Sequence, residues 1–430
     1  MKEAEENYRK AIFLNPKYAT AHNNLGNILK EKSLLDEAQK HYQQAISINS
    51  KYEYPYNNLG NVLREKGLLD EAQKHYQQAI SINGKYEEPH NNLGNILREK
   101  GFLEQAQNSY HQAIAINPSY VDAHFNLSLL LLTIGEWERG WKEYEWRCKF
   151  KNIVLPQSSQ AKWDGGDIRG KTIVLITEQG LGDSIQFIRY APILAQKGAI
   201  VKVICDRSLV SLFQGIEGIK EVMPNNSKEI MTKHDTYLPL MSLPYLLGTR
   251  LDNIPASIPY IFTKKQPAIK IDIPVDTSLK IGIVWASRKD TQFYKQKTCP
   301  LELFVALLSI PSITLYSLQV GTDAGDIEKY LKNDRLFDLS PILKDFTDTV
   351  AVIEQLDLVI TVDTSVAHLA GAMGKPVWTL LPFTADWRWL LERRDSPWYP
   401  TMRLFRQRKR DDWVSVFGQV QNQLSVISNQ

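Results

Sequence analysis

The stretch NNLGNVLREKGLLDEAQKHYQQAI, residues 57–80, decides how the first third of this chain folds. It recurs almost unchanged at 23–46 and with more drift at 91–114. Leu25, Leu59, Leu93 and Leu127 stand 34 residues apart, each followed by a small residue: Gly26, Gly60, Gly94 and Ser128. Tyr8, Tyr42, Tyr76, Tyr110 and Tyr144 keep the same step, as do Ala11, Ala45, Ala79 and Ala113. Gly67, Gly101 and Gly135 mark a turn between two helices, and Pro16 and Pro118 occupy a breaker position held by Ser50 and Gly84 in between.

A 34-residue period with small residues where helices must approach is the signature of tetratricopeptide repeats. Each repeat is a helix pair that buries its apolar face only against its neighbours. Residues 1–150 are therefore expected to form an α-helical superhelix that opens on a lone second helix, Lys2 to Leu14, as if a repeat had been cut. Asn24, Asn58, Asn92 and Asn126 also fall 34 apart. Here the repeats resemble those of protein O-linked N-acetylglucosamine transferase, and the resemblance implies an inward asparagine ladder gripping an extended peptide. An amide both donates and accepts, which suits a peptide backbone. The alternative is a solvated helix face, because Asn23, Asn57 and Asn91 repeat just as faithfully. Trp137, Trp141 and Trp146, costly to expose, are expected to dock this end of the array onto the next domain.

The 430 residues are 43% hydrophobic and 23% charged, with a net charge of +3, ordinary for a soluble globular protein and too small to make nucleic acid the default partner. Cys148, Cys205 and Cys299 are too scattered for a disulfide framework or a metal cluster, and no apolar run reaches the ~20 residues that cross a bilayer. The charged Met1–Lys10 is no signal peptide, so a cytoplasmic protein is expected.

Beyond a connector at 151–168, short apolar runs alternate with amphipathic stretches, the pattern of parallel α/β sheets. Strands are expected at 172–177, 200–205, 219–223 and 236–238, with a helix from about Ser184 to Gln196. A Pro- and Ile-rich segment then interrupts, and alternation restarts with strands at 280–286, 313–319, 336–339, 356–362 and 376–381 and a closing helix over 411–428. This gives two doubly wound, Rossmann-like lobes, 169–262 and 280–430, joined by a crossing at 263–279. Two such lobes face each other across a cleft at the carboxyl ends of their strands.

Three segments carry candidate chemistry. In VDTSVAHLAGAMGKP (362–376) a strand ends and a helix begins. The helix N–H groups and dipole, with the Thr364 and Ser365 hydroxyls, make a cradle for an anion, and His368 shares their face. The competing reading is an N-cap at Asp363 and Thr364 beside a structural histidine. In EQGLGDSIQFIRY (178–190), Gly180 and Gly182 permit a tight strand-to-helix turn and Asp183 sits at the helix start, as cleft residue or as cap. The third, WASRKDTQFYKQKTCP (285–300), is a basic loop from which Arg288 or Lys297 reaches a phosphate, or which is simply a solvated surface. The basic run Arg403, Arg406, Arg408, Lys409 and Arg410 reads first as a solvated face, and DWRW (386–389) as interlobe packing.

Together these segments resemble the family 9 glycosyltransferases, the group that contains the lipopolysaccharide heptosyltransferases, over roughly 160–410. The nearest likeness is to bacterial proteins that fuse tetratricopeptide repeats to such a domain, where EQGLGDSIQF, DTSVAHLAGA, DWRW and SPWYP recur as a set. The resemblance implies a GT-B enzyme in which Asp183 is general base for an inverting transfer. Asp363, Thr364, Ser365 and His368 would then hold the donor diphosphate, Lys297 would steady the leaving group, and Gln319 would lie beside the nucleotide base. Heptosyltransferases usually carry Gly where Ser365 stands. Charge building on the leaving oxygens is met by a helix N-terminus, hydroxyls and a cation, so no cofactor and no metal are expected, and no Asp-x-Asp metal clamp occurs in the chain. The expected partners are a nucleotide sugar and a protein or peptide held by the repeats, with self-association open. The alternatives are a glycan or lipid-linked acceptor, or a scaffold without activity.

Overall fold

The computed structural model describes residues 1–150, 160–225, 234–262, 279–289 and 294–427. The expected connector falls partly, and the expected crossing almost wholly, outside them. The chain divides into two units: Met1–Leu132 with Lys142–Phe150, and Thr133–Trp141 with the residues after Phe150.

In the first unit the helices α1 (Lys2–Leu14), α2 (Ala19–Glu31), α3 (Leu35–Ile48), α4 (Glu53–Glu65), α5 (Leu69–Ile82), α6 (Glu87–Glu99), α7 (Leu103–Ile116) and α8 (Val121–Thr133) follow the 34-residue step. The small-residue register has a direct cause. A Cβ on Gly26, Gly60 or Gly94 would meet the ring of Tyr42, Tyr76 or Tyr110 at 2.6, 2.5 and 2.5 Å. Each of those rings is fully buried and sends its hydroxyl to Asn27, Asn61 or Asn95 Oδ1, at 2.8, 2.8 and 2.9 Å. Gly67 and Gly101 end their helices at φ of +79° and +85°, where a Cβ is strained, and Ser33 takes the same left-handed conformation in the first copy.

The two asparagine series that look interchangeable in sequence turn out to be partners. Asn58 Nδ2 donates to Asn23 Oδ1 and Asn27 Oδ1 of the preceding repeat, Asn92 Nδ2 to Asn57 and Asn61, and Asn126 Nδ2 to Asn91. Asn24 Nδ2 reaches the Tyr8 hydroxyl at 3.4 Å. The ladder thus binds repeat to repeat through its N–H groups. The side chains of Asn24, Asn58, Asn92 and Asn126 stay half-exposed.

A short helix, α9 (Trp137–Tyr144), follows. Of the three tryptophans, Trp146 stacks on His124 within the first unit, rings 3.8 Å apart and 3° from parallel. Trp137 stacks on Trp398, and Trp141 meets Trp387 and Phe187 edge-on and donates its indole N–H to the Thr249 carbonyl at 3.0 Å, all within the second unit.

The second unit holds two parallel sheets. Strands β1 (Thr172–Ile176), β2 (Ile200–Cys205), β3 (Ile219–Pro224) and β4 (Thr236–Pro239) run in the order β3-β2-β1-β4. Strands β5 (Leu279–Val284), β6 (Ile313–Ser317), β7 (Leu336–Asp338), β8 (Leu358–Val362), β9 (Val377–Leu381) and β10 (Met402–Arg406) run β10-β9-β8-β5-β6-β7. Both orders double back beside their first strand, which places a crevice at the carboxyl ends of β1 and β4 and of β5 and β8. Helices α10 (Leu181–Phe187), α11 (Ala191–Gln196), α12 (Val210–Phe213) and α13 (Leu243–Leu246) belong with the first sheet. With the second are α14 (Tyr294–Lys297), α15 (Leu301–Val305), α16 (Phe346–Ile353), α17 (Ser365–Ala372) and α18 (Trp413–Ile427).

Two sequence expectations need correction. The single helix expected from Ser184 to Gln196 is broken by a tighter turn at Ile188–Tyr190, because Pro192 brings no N–H to the ladder and restarts the helix in its first turn. The basic run is not one solvated face. Arg403 and Arg406 lie on β10, which pairs with β9, and only Arg408, Lys409 and Arg410 are exposed.

Candidate active site

The first lobe brings Asp183 to the crevice. Strand β1 ends at Ile176, and the chain turns through Gln179 at φ +63° into α10. Asp183 stands in the first turn of α10, and its Oδ2 accepts from the Gly180 N–H at 2.7 Å. The cap reading of the sequence is displaced: Gly180 is the N-cap residue, and Asp183, three positions on, caps back to its N–H with one carboxylate oxygen. The other, Oδ1, faces the Arg388 guanidinium in a short ion pair. Burial holds the Asp183 carboxyl above its ordinary value even with Arg388 beside it.

Gly182 explains how the lobes meet. A Cβ there would lie 2.8 Å from His368 Cδ2 and 3.4 Å from Ser365 Cα. The turn bearing Asp183 and the turn bearing Ser365 and His368 touch, and glycine is what lets them.

The second lobe supplies the rest. Strand β8 ends at Val362, Asp363 follows, and α17 starts at Ser365 without a side-chain cap. Lys297, from the segment after β5, places Nζ 2.7 Å from Asp363 Oδ2, so this ion pair spans the β5–β8 crevice. Burial works against the Lys297 charge, but the Asp363 and Asp386 carboxylates hold its pKa above the usual value. The Thr361 hydroxyl donates to the Val362 carbonyl at 2.8 Å, so the Thr364 hydroxyl, 3.0 Å from Thr361 Oγ1, spends its own proton there. Ser365 is half-exposed, and among the described residues its hydroxyl has no hydrogen-bond partner. His368 is buried, with Nδ1 3.0 Å from the Tyr399 hydroxyl and its ring stacked on Trp389. Burial pushes its pKa down to about 3, so it is a neutral hydrogen-bonding group at physiological pH.

Gln319 is buried, its Oε1 accepting from the Trp285 and Ala286 N–H groups at 3.2 and 2.9 Å. Its side chain fixes the loop after β5. Arg288, the other cation proposed from that loop, is exposed.

Several residues at the site escaped the sequence reading. Arg388 binds Asp183, Asp386 Oδ1 at 2.8 Å and Gln186 Oε1, and so ties the two lobes together. Buried Arg189 donates to the carbonyls of Trp398 (2.8 Å) and Pro255 (3.2 Å) and to the Tyr260 hydroxyl (2.9 Å), and its guanidinium lies over the rings of Tyr260, Trp398 and Tyr399. Arg406 donates to the carbonyls of Trp389 and Leu390, and burial lowers its pKa to about 10. In the sequence Arg388 stood within DWRW, read as interlobe packing, Arg189 near the end of EQGLGDSIQFIRY, and Arg406 in the basic run read as a solvated face.

Residues 17–83 match the family described as tetratricopeptide repeat and residues 94–135 that described as TPR repeat. Residues 324–406, which carry Asp363 to His368 and Asp386 to Arg388, match glycosyltransferase family 9 (heptosyltransferase). The chain thus joins tetratricopeptide repeats to a glycosyltransferase domain of the family 9 type. Protein FlbA of Caulobacter vibrioides is similar, 25% identical over 324 residues that make up 67% of this chain and 52% of FlbA. The chain spans about half the length of that relative. Among solved structures, YrrB, described as a TPR protein with an unusual peptide-binding site, is 22% identical over 34% of this chain and 75% of its own, with a TM-score of 0.31. PilF of Pseudomonas aeruginosa is 19% identical over 45% of this chain and 76% of its own, with a TM-score of 0.35.

Proposed function

We propose that the second unit transfers a sugar, with inversion and without a metal, from a nucleoside diphosphate donor to a hydroxyl, and that the hydroxyl belongs to a protein or peptide held by the repeats. One observation carries this reading. A carboxylate from one lobe and the open start of α17 from the other are packed together through Gly182, with Lys297 at the same crevice. Asp183 takes the proton of the acceptor hydroxyl, and the oxygen bonds to the anomeric carbon. The bond from that carbon to the diphosphate oxygen breaks, and the nucleoside diphosphate leaves. The charge that builds on it is met by the α17 N–H groups, the Ser365 hydroxyl and Lys297. His368, neutral, contributes shape and a hydrogen bond. The half-exposed asparagine row supports the peptide acceptor, because its N–H groups serve repeat stacking while the amide oxygens of Asn58, Asn92 and Asn126 accept nothing from the described residues.

The test is thermal stabilisation by UDP, GDP, ADP and dTDP, each with wild type and Lys297→Ala. One diphosphate is expected to raise the melting temperature, with affinity falling about tenfold in the variant, roughly the 1.4 kcal/mol of a charge-assisted contact. Stabilisation by none of the four would remove the donor site. Asp183→Ala is expected to abolish transfer while the diphosphate still binds.

A further inference from the structure

The guanidinium of Arg388 is held on three sides. Nε donates to Gln186 Oε1, Nη1 to Asp386 Oδ1 and Nη2 to Asp183 Oδ1. The Arg388 side chain is 6% exposed. Gln186 is fully buried, and its Nε2 has no partner among the described residues. Turning that amide over would set its NH2 against the guanidinium, so its oxygen must face Arg388. Asp183 is equally occupied, with Arg388 on one oxygen and the Gly180 N–H on the other. The guanidinium blocks Oδ1 and offsets part of the upward shift that burial gives the carboxyl, so Asp183 becomes a stronger and more accessible proton acceptor once that bond is released. The same guanidinium acts electrostatically on Lys297, which ends α14, and on His368 of α17.

We propose that Arg388 changes partners when the donor arrives: its Nη2 leaves Asp183 for an oxygen of the donor diphosphate, and the exchange frees Asp183 to act as base. This rests on the donor reading above. A diphosphate brings more negative charge than one carboxylate and offers oxygens that match the planar guanidinium fork. Asp386 keeps its bond to Nη1 throughout and serves as the pivot. Asp183 keeps its Gly180 N–H and gains an open Oδ1. The base is thereby masked until a donor is seated, and Arg388 is a donor-binding residue that also positions the base.

The test is an equilibrium binding cycle with whichever of UDP, GDP, ADP or dTDP stabilises the wild type, read by calorimetry with no acceptor present. Asp183→Asn keeps an oxygen for the Gly180 N–H but drops the charge that competes for Arg388, so it is expected to bind the diphosphate about five- to tenfold more tightly. Arg388→Gln is expected to bind about tenfold more weakly, and the double variant no more tightly than Arg388→Gln alone. Equal tightening by Asp183→Asn in both backgrounds would mean simple charge repulsion without exchange, and no tightening in either would mean no competition; each overturns the proposal and leaves the donor site standing. Failure of every diphosphate to bind wild type removes the donor reading and the exchange with it. Should Arg388→Gln fail to fold, Arg388→Lys, which keeps a charge but not the fork, takes its place in the same cycle.

Discussion

His368 occupies a position where a cation would suit a diphosphate, yet burial leaves it uncharged. Its ring stacks on Trp389 and brings Cδ2 up against Gly182, with Nδ1 on the Tyr399 hydroxyl, and its pKa falls to about 3. The unfolded chain takes a proton on this residue near the ordinary value of 6.5. Between pH 6.5 and about 3 the unfolded state therefore binds a proton that the folded state refuses. The stability is full above 6.5 and is lost as pH falls, by up to about 1.4 kcal/mol per pH unit. Urea midpoints followed by tryptophan fluorescence should show that slope in wild type and a flatter one in His368→Gln. Equal slopes would mean that the ring is not held neutral. At this scale the sequence placed His368 on one face with Ser365, as the three-residue spacing requires, but its charge state depends on partners 21 to 186 positions away (Gly182, Trp389, Tyr399).

At the scale of elements, α10 and α17 pack together, and Gly182 is where α10 comes up against His368. With Ala at 182 the new methyl would sit 2.8 Å from His368 Cδ2, inside a packed interface. The helices must separate or the imidazole must turn, at a cost of about 1–3 kcal/mol. Gly182→Ala is expected to lower the melting temperature of the second unit and weaken diphosphate binding together, whereas a change in neither would show that the turns have room to spare. The sequence expected every strand except β10. Arg403 and Arg406 concealed it, because two arginines interspersed among Met402, Leu404 and Phe405 break the alternation of a strand until its pairing with β9 is known. The continuous helix expected after Gly182 failed for a local reason, Pro192, that the sequence does display.

For the whole molecule, the described residues of the charged site all come from the second unit, while the asparagine ladder belongs to the first. Asn58→Ala with Asn92→Ala removes inter-repeat hydrogen bonds and is expected to cost the repeats about 1 kcal/mol per bond lost. It should leave diphosphate affinity within about twofold, since among the described residues the ladder shares no hydrogen-bond partner with the charged site. Calorimetric scans with and without the diphosphate measure both quantities, and a large loss of affinity would tie the ladder to the donor site.

The sequence by itself determined the repeats and their small-residue contacts, because a helix pair closes on neighbours a fixed 34 positions away and so writes its packing as a period. It also determined the two strand-helix alternations and the turns bearing Asp183 and Ser365, which obey local rules of strand, glycine and helix start. Only the tertiary structure decided that Arg388 faces Asp183, that Lys297 pairs with Asp363, and that Arg189 clamps Trp398. Those pairings join residues some 66 to 209 positions apart, and no periodicity records them. Their strength comes from burial, which only a closed fold supplies.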